Sequence, residues 1–362
     1  MARIDAILKL VKDQGASDLH MTTGSPPMVR IAGEITPIPY EPLTREMSEM
    51  LLFEIMDPPV RARYDENKDV DFSYEVPDVV RARCNIYEQS RGPAGAFRIL
   101  PSQILSMEQL GLPEHLTRLT EMPRGLVVVT GPPGTGKSST LAALIDHINR
   151  TRRRHILTIE DPIEYRHQNK LCLITQREIG RNTPTFAKAL HGALREDPDV
   201  IMVGEMRDVE TMALAMTAAS TGQLVFATLH TMSATQTVDR ILDSFDGERQ
   251  SQARLMLSES LKGVLAQRLL RRRDGRGRTL GLEVLIGTPA VAALIREKKT
   301  FQLQSVIQTG RKEGMQTMDE AVLALVRDGT VAPEDAIAHL SSRDLLPQLE
   351  RMAPPPPRSQ AA

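Results

Sequence analysis

Residues 131–138, GPPGTGKS, fit the pattern G-x-x-x-x-G-K-[ST] without a mismatch. The apolar run 126–130 before them is typical of a buried strand, and apolar residues at helical spacing follow Lys137. A strand, a glycine loop and a helix in this order hold phosphates with backbone N–H groups and with the positive end of the helix dipole. We therefore predict a nucleoside triphosphate site, in which Lys137 contacts the β- and γ-phosphates and Ser138 ligates Mg²⁺. The residues assigned to this phosphate loop and the start of its helix are Gly131, Gly134, Thr135, Gly136, Lys137, Ser138 and Ser139. The alternative is a glycine-rich turn that binds no ligand.

Acidic residues and a histidine directly follow three further apolar runs that are predicted as strands, at residues 156–159, 200–204 and 224–229. Glu160, Asp161 and Glu164 come after the first run, Glu205 after the second and His230 after the third. Ligands of parallel sheets bind beyond the carboxyl ends of the strands, so we expect these side chains to face the phosphate loop. Glu205 then suits Mg²⁺, the acidic cluster supplies a group that activates water, and His230 senses the γ-phosphate. Taken singly, each acid also fits a solvated loop charge or a helix cap, and His230 fits a core histidine.

The elements that position these residues belong to the second of two predicted domains. At 362 residues the chain exceeds what one core usually supports. From about residue 114, apolar strands alternate with helices, which indicates an α/β domain with a mainly parallel sheet. We predict a smaller α+β domain at residues 1–100, a linker at 101–113, the sheet domain at 114–352 and a disordered proline-rich tail at 353–362.

The smaller domain is predicted from helical and alternating patterns. Ile4, Ile7, Leu8 and Val11 form one face of a first helix, and a second helix over 44–56 turns Met47, Met50, Leu51 and Ile55 inward. Strands are expected at 28–31 and 34–38, joined by a turn at residues 32 and 33. In the strand at 79–87 apolar residues alternate with polar ones, and Arg81 and Arg83 lie on the polar face. A Gly-Pro-Ala-Gly turn at 92–95 leads to a hairpin partner at 96–100.

Composition disfavours several classes of protein. The net charge of −1 and the absence of Trp give no support for a nucleic-acid partner, and no run reaches the length of a membrane span. The two cysteines, Cys84 and Cys172, are expected as buried free thiols in a reducing compartment. Arg268 and Arg271–Arg273 form a basic run that we assign to the end of a long amphipathic helix.

Four motifs, taken together, resemble the ATPases of type II secretion and type IV pili. They are TGPPGTGKSSTLAALI, ILTIEDPIEY, LREDPDVIMVGEMRDVET and TAASTGQLVFATLHT, and they correspond in order to a Walker A loop, an Asp box, a Walker B motif and a His box. SDLH at 17–20 and GMQTMDEA at 314–321 narrow the resemblance to the twitching-motility retraction ATPases, the PilT and PilU-like proteins. The resemblance covers residues 3–340. It implies a PAS-like N-terminal domain and a RecA-like C-terminal domain.

The resemblance also implies site residues and partners. Glu164 corresponds to the catalytic carboxylate, Glu205 to the Walker B acid near Mg²⁺, and His230 with Thr221 to the His-box groups. Glu160, from the same acidic cluster as Glu164, is predicted to contact the nucleotide. Arginines of the N-terminal domain reach ATP in such rings, which here points first to Arg83 and Arg98 and after them to Arg81; from the strand pattern alone, a solvated face remains the alternative. The family forms homohexamers at the cytoplasmic face of the inner membrane. An inner-membrane platform protein of the pilus machine and a paralogous retraction ATPase are the expected partners.

One departure concerns the coupling of hydrolysis to pilus retraction. A motif of the retraction ATPases that reads approximately AIRNLIRE is AVAALIRE at 290–297, so that Ala292 and Ala293 replace its central Arg-Asn pair. The tail at 333–350 resembles the PilU-type proteins, whereas GEMRD and ATLHT resemble the PilT type. A PilU-like accessory ATPase, and a nucleic-acid translocase on the same core, are the alternative functions.

Overall fold

A computed structural model describes residues 2–31, 33–101 and 103–352, and the chain forms two units by its internal contacts. The first unit takes the residues up to Gln103 together with the segment Pro162–Arg166. The second takes Ile104–Asp161 and the residues from His167 onward. The chain therefore leaves the second unit after Asp161 and returns at His167. Glu164 lies in this excursion, which we call the Glu164 segment (Pro162–Arg166). The predicted tail at 353–362, and residue 32 of the predicted turn, lie outside the described residues.

The first unit is an antiparallel sheet with helices on one face. Its strands are β1 (Asp18–Thr22), β2 (Met28–Ile31), β3 (Glu34–Pro37), β4 (Asp69–Val76), β5 (Val80–Gln89) and β6 (Gly92–Leu100). Its helices are α1 (Ile4–Asp13), α2 (Arg45–Phe53) and α3 (Pro58–Asn67). The strands follow the order β3-β2-β1-β6-β5-β4, and every neighbouring pair is antiparallel.

Alternation along β5 sets the two faces of this sheet. Ala82, Cys84 and Ile86 are fully buried, because they contribute to the same core as the apolar face of α1, and the arginines between them point to the other side. The predicted first helix and the strands at 28–31, 34–38, 79–87 and 96–100 are thus confirmed. Two details are wrong. Met50 is 42% exposed rather than inward. Residues 92–95 begin β6, and the turn consists of Ser90 and Arg91 instead.

The second unit contains a larger sheet between layers of helices. Its strands are β7 (Gly125–Thr130), β8 (His155–Glu160), β9 (Leu173–Glu178), β10 (Val200–Val203), β11 (Leu224–Leu229), β12 (Leu261–Arg271) and β13 (Arg278–Ile286). Its helices are α4 (Thr117–Glu121), α5 (Lys137–Thr151), α6 (Phe186–Ala193), α7 (Val209–Thr221), α8 (Ala234–Asp243), α9 (Gly247–Ser260), α10 (Pro289–Arg296), α11 (Leu303–Thr309), α12 (Met318–Arg327), α13 (Pro333–Ile337) and α14 (Leu346–Met352). Short 3₁₀ helices occupy Glu114–Leu116, Thr300–Gln302, Gly310–Glu313 and Arg343–Leu345.

The order of this sheet is β13-β12-β7-β11-β10-β8-β9, and only the edge pair β12–β13 is antiparallel among the described strands. The central strands are buried on both faces, which explains their continuous apolar sequences. The four strands predicted from those sequences are confirmed. Their registers pair Thr130 with Leu229, and Val203 with both Ala227 and Ile159. The carboxyl ends of β7, β11, β10 and β8 therefore meet at one edge of the sheet.

The long amphipathic helix predicted to end at the basic run is wrong. The helix stops at Ser260 as α9, and Leu261–Arg271 continues directly as β12, so that Arg268 and Arg271 lie on a strand. Most residues of β12 are buried, on both faces of the strand. A strand of this kind has no period-two alternation, and its apolar residues can also fit helical spacing.

The GMQTMDEA segment (residues 314–321) is fixed to β13. Backbone hydrogen bonds join Val284 and Gln316 in both directions, and the Gln316 side chain donates to the carbonyl of Leu282 at 2.7 Å. Glu283, which is 3% exposed, accepts from the backbone N–H of Ala234 at 2.7 Å and of Met318 at 3.4 Å. One buried carboxylate thus caps the first residue of both α8 and α12. Burial raises the pKa of Glu283 above its usual range, against the opposing effect of these two N–H donors.

Both cysteines are buried and free, as predicted. Burial raises the pKa of the Cys84 thiol and of the Cys172 thiol above the ordinary value. Within residues 2–31, 33–101 and 103–352, no helix is long and apolar enough to cross a membrane.

Candidate nucleotide site

The phosphate loop runs from the end of β7 to the first turn of α5. Gly134 and Gly136 have φ of 77° and 85°, a left-handed conformation that favours glycine, and Gly136 caps α5. A Cβ on Gly131 would lie 2.5 Å from the carbonyl oxygen of Gln267 on the neighbouring strand, which only glycine avoids. The Thr135 hydroxyl donates to the carbonyl of Pro132 at 2.8 Å and closes the loop. Ser138 and Ser139 are half-buried in the first turn of α5.

Lys137 is buried beneath this loop, with 8% of its surface exposed. Its ammonium donates to the carbonyl oxygens of Gly131 at 2.8 Å and Pro132 at 3.0 Å, and lies 3.2 Å from Nδ1 of His230. An ammonium can only donate, so Nδ1 of His230 accepts and the ring proton sits on Nε2. Nε2 lies 3.1 Å from Oε1 of Glu205 and therefore donates to that carboxylate.

The contacts that begin at Lys137 and pass through His230 reach Glu205. Strands are about 4.8 Å apart, so the ends of β7 and β10 are separated by about 10 Å, and His230, at the end of β11 between them, spans the gap. Glu205 also accepts from Arg207 at 2.8 Å. Burial alone would raise the pKa of Glu205, but the hydrogen bond and positive charge of Arg207, together with the hydrogen bond from His230, outweigh burial and hold the pKa below its usual range. The Glu205 carboxylate is therefore ionised at neutral pH.

Hydroxyl groups hold the chain after β11 in place. The Thr130 hydroxyl accepts from the backbone N–H of Thr231 at 2.9 Å and lies 2.7 Å from the Thr231 hydroxyl, which in turn lies 2.6 Å from that of Thr237. These contacts tie the end of β7 to the start of α8, with His230 between them. Thr130, Thr231 and Arg207 were not predicted as site residues from the sequence. Each stands within two residues of a predicted site residue or of the phosphate loop, and that proximity was the available signal.

Glu160 is buried at the carboxyl end of β8, with 7% of its surface exposed. It accepts from the Thr158 hydroxyl at 2.7 Å and from the side-chain amide of Gln176 at 3.1 Å. The carbonyl of the same Gln176 amide accepts from the backbone N–H of His167 at 2.8 Å. Gln176 therefore joins the residues on either side of the excursion, Glu160 before it and His167 after it.

Not all predicted residues meet at this edge. Thr221 ends α7, three residues before β11 begins, and its hydroxyl donates to the carbonyl of Thr217 at 2.9 Å. It lies at the amino ends of the strands, roughly 15–20 Å of strand length from the phosphate loop. Its assignment to the nucleotide site of its own chain has no support in this geometry. Glu164 belongs to the first unit.

Arg83 and Arg98 also belong to the first unit, where they are direct cross-strand neighbours on the polar face of the sheet. Arg83 lies 3.5 Å from Asp71, and Arg98 lies 3.0 Å from Asp18. Their side chains are 47% and 71% exposed. Burial would raise the pKa of Asp18, but hydrogen bonds from Ser17 and Arg98 and the charge of Arg98 hold that pKa below its usual range.

Comparison with known proteins decides the family. The sequence profile of the type II/IV secretion system proteins matches residues 2–338. The chain belongs to this family. It is 50% identical over 333 residues to the type IV pilus retraction ATPase PilT of Pseudomonas aeruginosa, a match that covers 92% of this chain and 96% of the relative. It is 39% identical over 338 residues to the type IV pilus ATPase PilU of the same organism, covering 93% of this chain and 88% of the relative.

A solved structure of the pilus retraction motor PilT with bound ADP superposes with a TM-score of 0.89 at 44% identity. The match covers 96% of this chain and 99% of that one. The predicted fold class, a RecA-like domain with a mainly parallel sheet behind a smaller N-terminal domain, is thereby confirmed.

Proposed function

We propose that this chain is an ATP-hydrolysing motor that drives the retraction of type IV pili, the process underlying twitching motility. The single observation that carries the proposal is the 50% identity to a retraction ATPase, which extends over 92% of the chain. The phosphate loop, with Lys137 buried beneath it, supports ATP as the nucleotide. The lower identity to PilU favours the retraction motor over an accessory ATPase.

The residues at the sheet edge fit a magnesium–phosphate site. The Ser138 hydroxyl and the ionised Glu205 carboxylate are hard oxygen donors, which Mg²⁺ prefers, and Glu205 lies beside His230 and Arg207 rather than in an apolar pocket. Ser138 and Glu205 would hold Mg²⁺, which when bound neutralises phosphate charge. Lys137 turns from two backbone carbonyls to the phosphates, since a charge-assisted contact with phosphate is stronger than one with a neutral carbonyl. His230, which contacts Lys137, then reports the presence of the γ-phosphate to Glu205.

Hydrolysis needs two further groups. Glu164 acts as the carboxylate that orients and activates the attacking water, and Glu160 fixes the start of the loop that carries it. Arg83 and Arg98, which are exposed on the first unit, complete the site of a neighbouring subunit in a homohexamer. The ring acts at the cytoplasmic face of the inner membrane, against the platform protein of the pilus machine and beside a paralogous retraction ATPase. The proposed domains of this motor are residues 1–100 and 114–352, with 101–113 as the linker and with the Glu164 segment joined to the first domain.

Replacement of Lys137 tests the nucleotide site. Lys137→Ala removes the charge-assisted phosphate contact, so tight ATP binding measured by calorimetry should be lost. Lys188→Ala, on an exposed part of α6, is the matched control and should bind ATP like the wild type. Unchanged affinity of the Lys137 variant would contradict the assignment.

A cellular experiment tests retraction itself. The chain is expressed in its host in place of the chromosomal copy, and pilus retraction is followed by twitching zones and by the retraction of labelled pili. Wild-type protein and Lys188→Ala should support retraction, whereas Lys137→Ala should not. Helix α10 contains the departure from the AIRNLIRE motif. Its Ala292 and Ala293 are half-buried, whereas Val291 and Ile295 are buried in the core. The two substitutions therefore change the surface of α10, and this experiment tests their effect on retraction. ATP hydrolysis without retraction in cells would contradict the motor function and leave the ATPase assignment intact.

A further inference from the structure

Two residues of the first unit, Arg81 and Glu75, contact the Glu164 segment on either side of Glu164. Arg81 donates through Nη2 to the carbonyl oxygen of Ile163 at 2.8 Å. Nε of Arg81 lies 3.6 Å from Oε2 of Glu75, and the same oxygen lies 2.5 Å from Nη2 of Arg166. We call Glu75, Arg81 and Arg166 the Glu75 clamp. Through this clamp, Arg81 holds Ile163, the residue immediately before Glu164, and Glu75 holds Arg166, two positions after it.

The base of this clamp is rigid. Glu75 on β4 and Arg81 on β5 are direct cross-strand partners, so their backbone positions are fixed by the sheet. Only 12% of the Arg81 side chain and 29% of the Glu75 side chain are exposed. A shielded charge pair is screened less by water and salt than an exposed one, and the planar guanidinium can hold a carboxylate and a carbonyl at once.

The ends of the same excursion are held by the second unit. Gln176 links the Glu160 carboxylate to the backbone of His167, so the chain on either side of the excursion is anchored beside β8 and β9. The middle and the ends of this stretch therefore belong to different units. Six residues lie between the anchors Glu160 and His167, and five of them, Pro162–Arg166, belong to the first unit.

We propose that Arg81 and Glu75 are positioning residues for Glu164, so that the N-terminal unit carries the carboxylate and the ATPase unit carries the phosphate loop. The proposal rests on the proposed role of Glu164. Arg81 thus serves Glu164 of its own chain, in contrast to Arg83 and Arg98, whose side chains are far more exposed.

Steady-state kinetics of Arg81→Gln give the first test. Displacement of a catalytic group by about 1 Å can cost up to 10²-fold in rate, so we expect kcat to fall about 10-fold or more. KM for ATP should stay within about twofold, since the phosphate loop is untouched. Arg81→Lys keeps a charge and a donor and should recover part of kcat. Arg45→Gln, which breaks an exposed ion pair of the same unit, is the matched control and should leave kcat unchanged. Wild-type kcat in Arg81→Gln would overturn the proposal.

Epistasis separates positioning from a general structural role. If Arg81 acts only through Glu164, adding Arg81→Gln to Glu164→Gln should not lower the residual turnover further. A further fall of the same size would overturn the proposal. Glu75→Gln provides a second route to the same comparison if Arg81→Gln lowers the thermal midpoint. Wild-type turnover in Glu164→Gln alone would refute the proposed role of Glu164 instead, so the two failures are distinguishable.

Mixed assemblies test whether Arg81 acts within its own chain. When Arg81→Gln subunits are mixed with Glu164→Gln subunits, no subunit carries both intact residues, so turnover should not exceed the sum of the two separate preparations. Recovery of activity in the mixture would show that Arg81 is supplied by a neighbour, and would overturn the proposal.

Discussion

At the scale of single residues, contacts run from Lys137 through His230 to Glu205 and Arg207. They join charged groups that lie beyond the carboxyl ends of three neighbouring strands, β7, β11 and β10. These groups are two permanent cations and one carboxylate, with an imidazole whose proton position follows from its neighbours. Glu164 is absent from this set and sits in the other unit. The residues that are proposed to bind phosphate and the residue that is proposed to activate water are therefore supported by different parts of the protein.

Glu164→Gln tests that division. The substitution keeps the size of the side chain and removes its negative charge, so ATP should still bind while turnover falls by about 10²-fold or more. Binding is measured by calorimetry and turnover by phosphate release. Glu66→Gln, on the exposed face of α3, is the control and should match the wild type. Turnover at the normal rate would move the search for the base to Glu160 or Glu205.

Arg207 lowers the pKa of Glu205 and so extends the pH range in which this carboxylate is ionised. In Arg207→Gln the largest influence that opposes burial is lost, so the pKa of Glu205 should rise. Glu205 must be ionised to serve near Mg²⁺, and the acidic limb of the pH profile of kcat/KM should therefore move to higher pH. Arg152→Gln, which breaks an exposed ion pair with Glu121, should leave that limb in place. A lowered rate with an unshifted acidic limb would contradict the assignment.

The site could be predicted from sequence where its residues follow strand ends, because parallel strands bring their carboxyl ends to one edge. Glu205 and His230 were placed in this way. Thr221 was assigned by resemblance alone; it is the last residue of α7 and precedes the strand at 224–229, so strand-end spacing gives it no place at the carboxyl edge. The attachment of the Glu164 segment to the first unit was equally hidden, since it depends on Arg81, some eighty residues away in the chain.

At the scale of elements, the buried strands that are followed by the phosphate loop, by Glu205 or by His230 were predictable from the sequence. The hairpin β12–β13 was not. Leu261, Val264, Leu265 and Ala266 are all buried, so the sequence lacks the alternation that distinguishes a strand from a helix. Helices α8 and α12 are far apart in sequence and share Glu283 as a cap. Such a link between distant elements becomes visible only once β13 is known.

Glu283→Ala should destabilise the second unit by about 2–4 kcal/mol, because two buried N–H groups at helix starts lose their acceptor. The thermal midpoint should fall by about 5–15 °C in calorimetry. Glu259→Ala, at an exposed position on α9, should change it by little. An unchanged midpoint would mean that the two helix starts find other acceptors.

At the scale of the whole molecule, the proposed role of Arg83 and Arg98, whose side chains are 47% and 71% exposed on the first unit, requires a second subunit. An arginine supplied in trans contributes about 10³-fold or more to the rate in related phosphate-transfer systems. Hydrolysis should therefore depend on assembly, and turnover per subunit should rise with protein concentration as rings form.

Mixed rings test this arrangement. Combining Arg98→Ala subunits with Glu164→Gln subunits should restore part of the activity, because some interfaces then contain both intact halves. Size-exclusion chromatography verifies that mixed rings form, and each variant alone is the control. A mixture that assembles but remains inactive, or turnover that is independent of concentration where monomers dominate, would refute a shared site.

The two buried thiols have a practical consequence for observing such rings at work. A thiol whose pKa is raised by burial is scarcely ionised at neutral pH, and only the thiolate reacts with maleimide dyes. The natural chain should therefore stay almost unlabelled without any cysteine being removed. One new surface cysteine on each unit would then accept a fluorophore pair. Energy transfer between the two dyes could follow the N-terminal unit through single catalytic cycles in an otherwise unaltered protein.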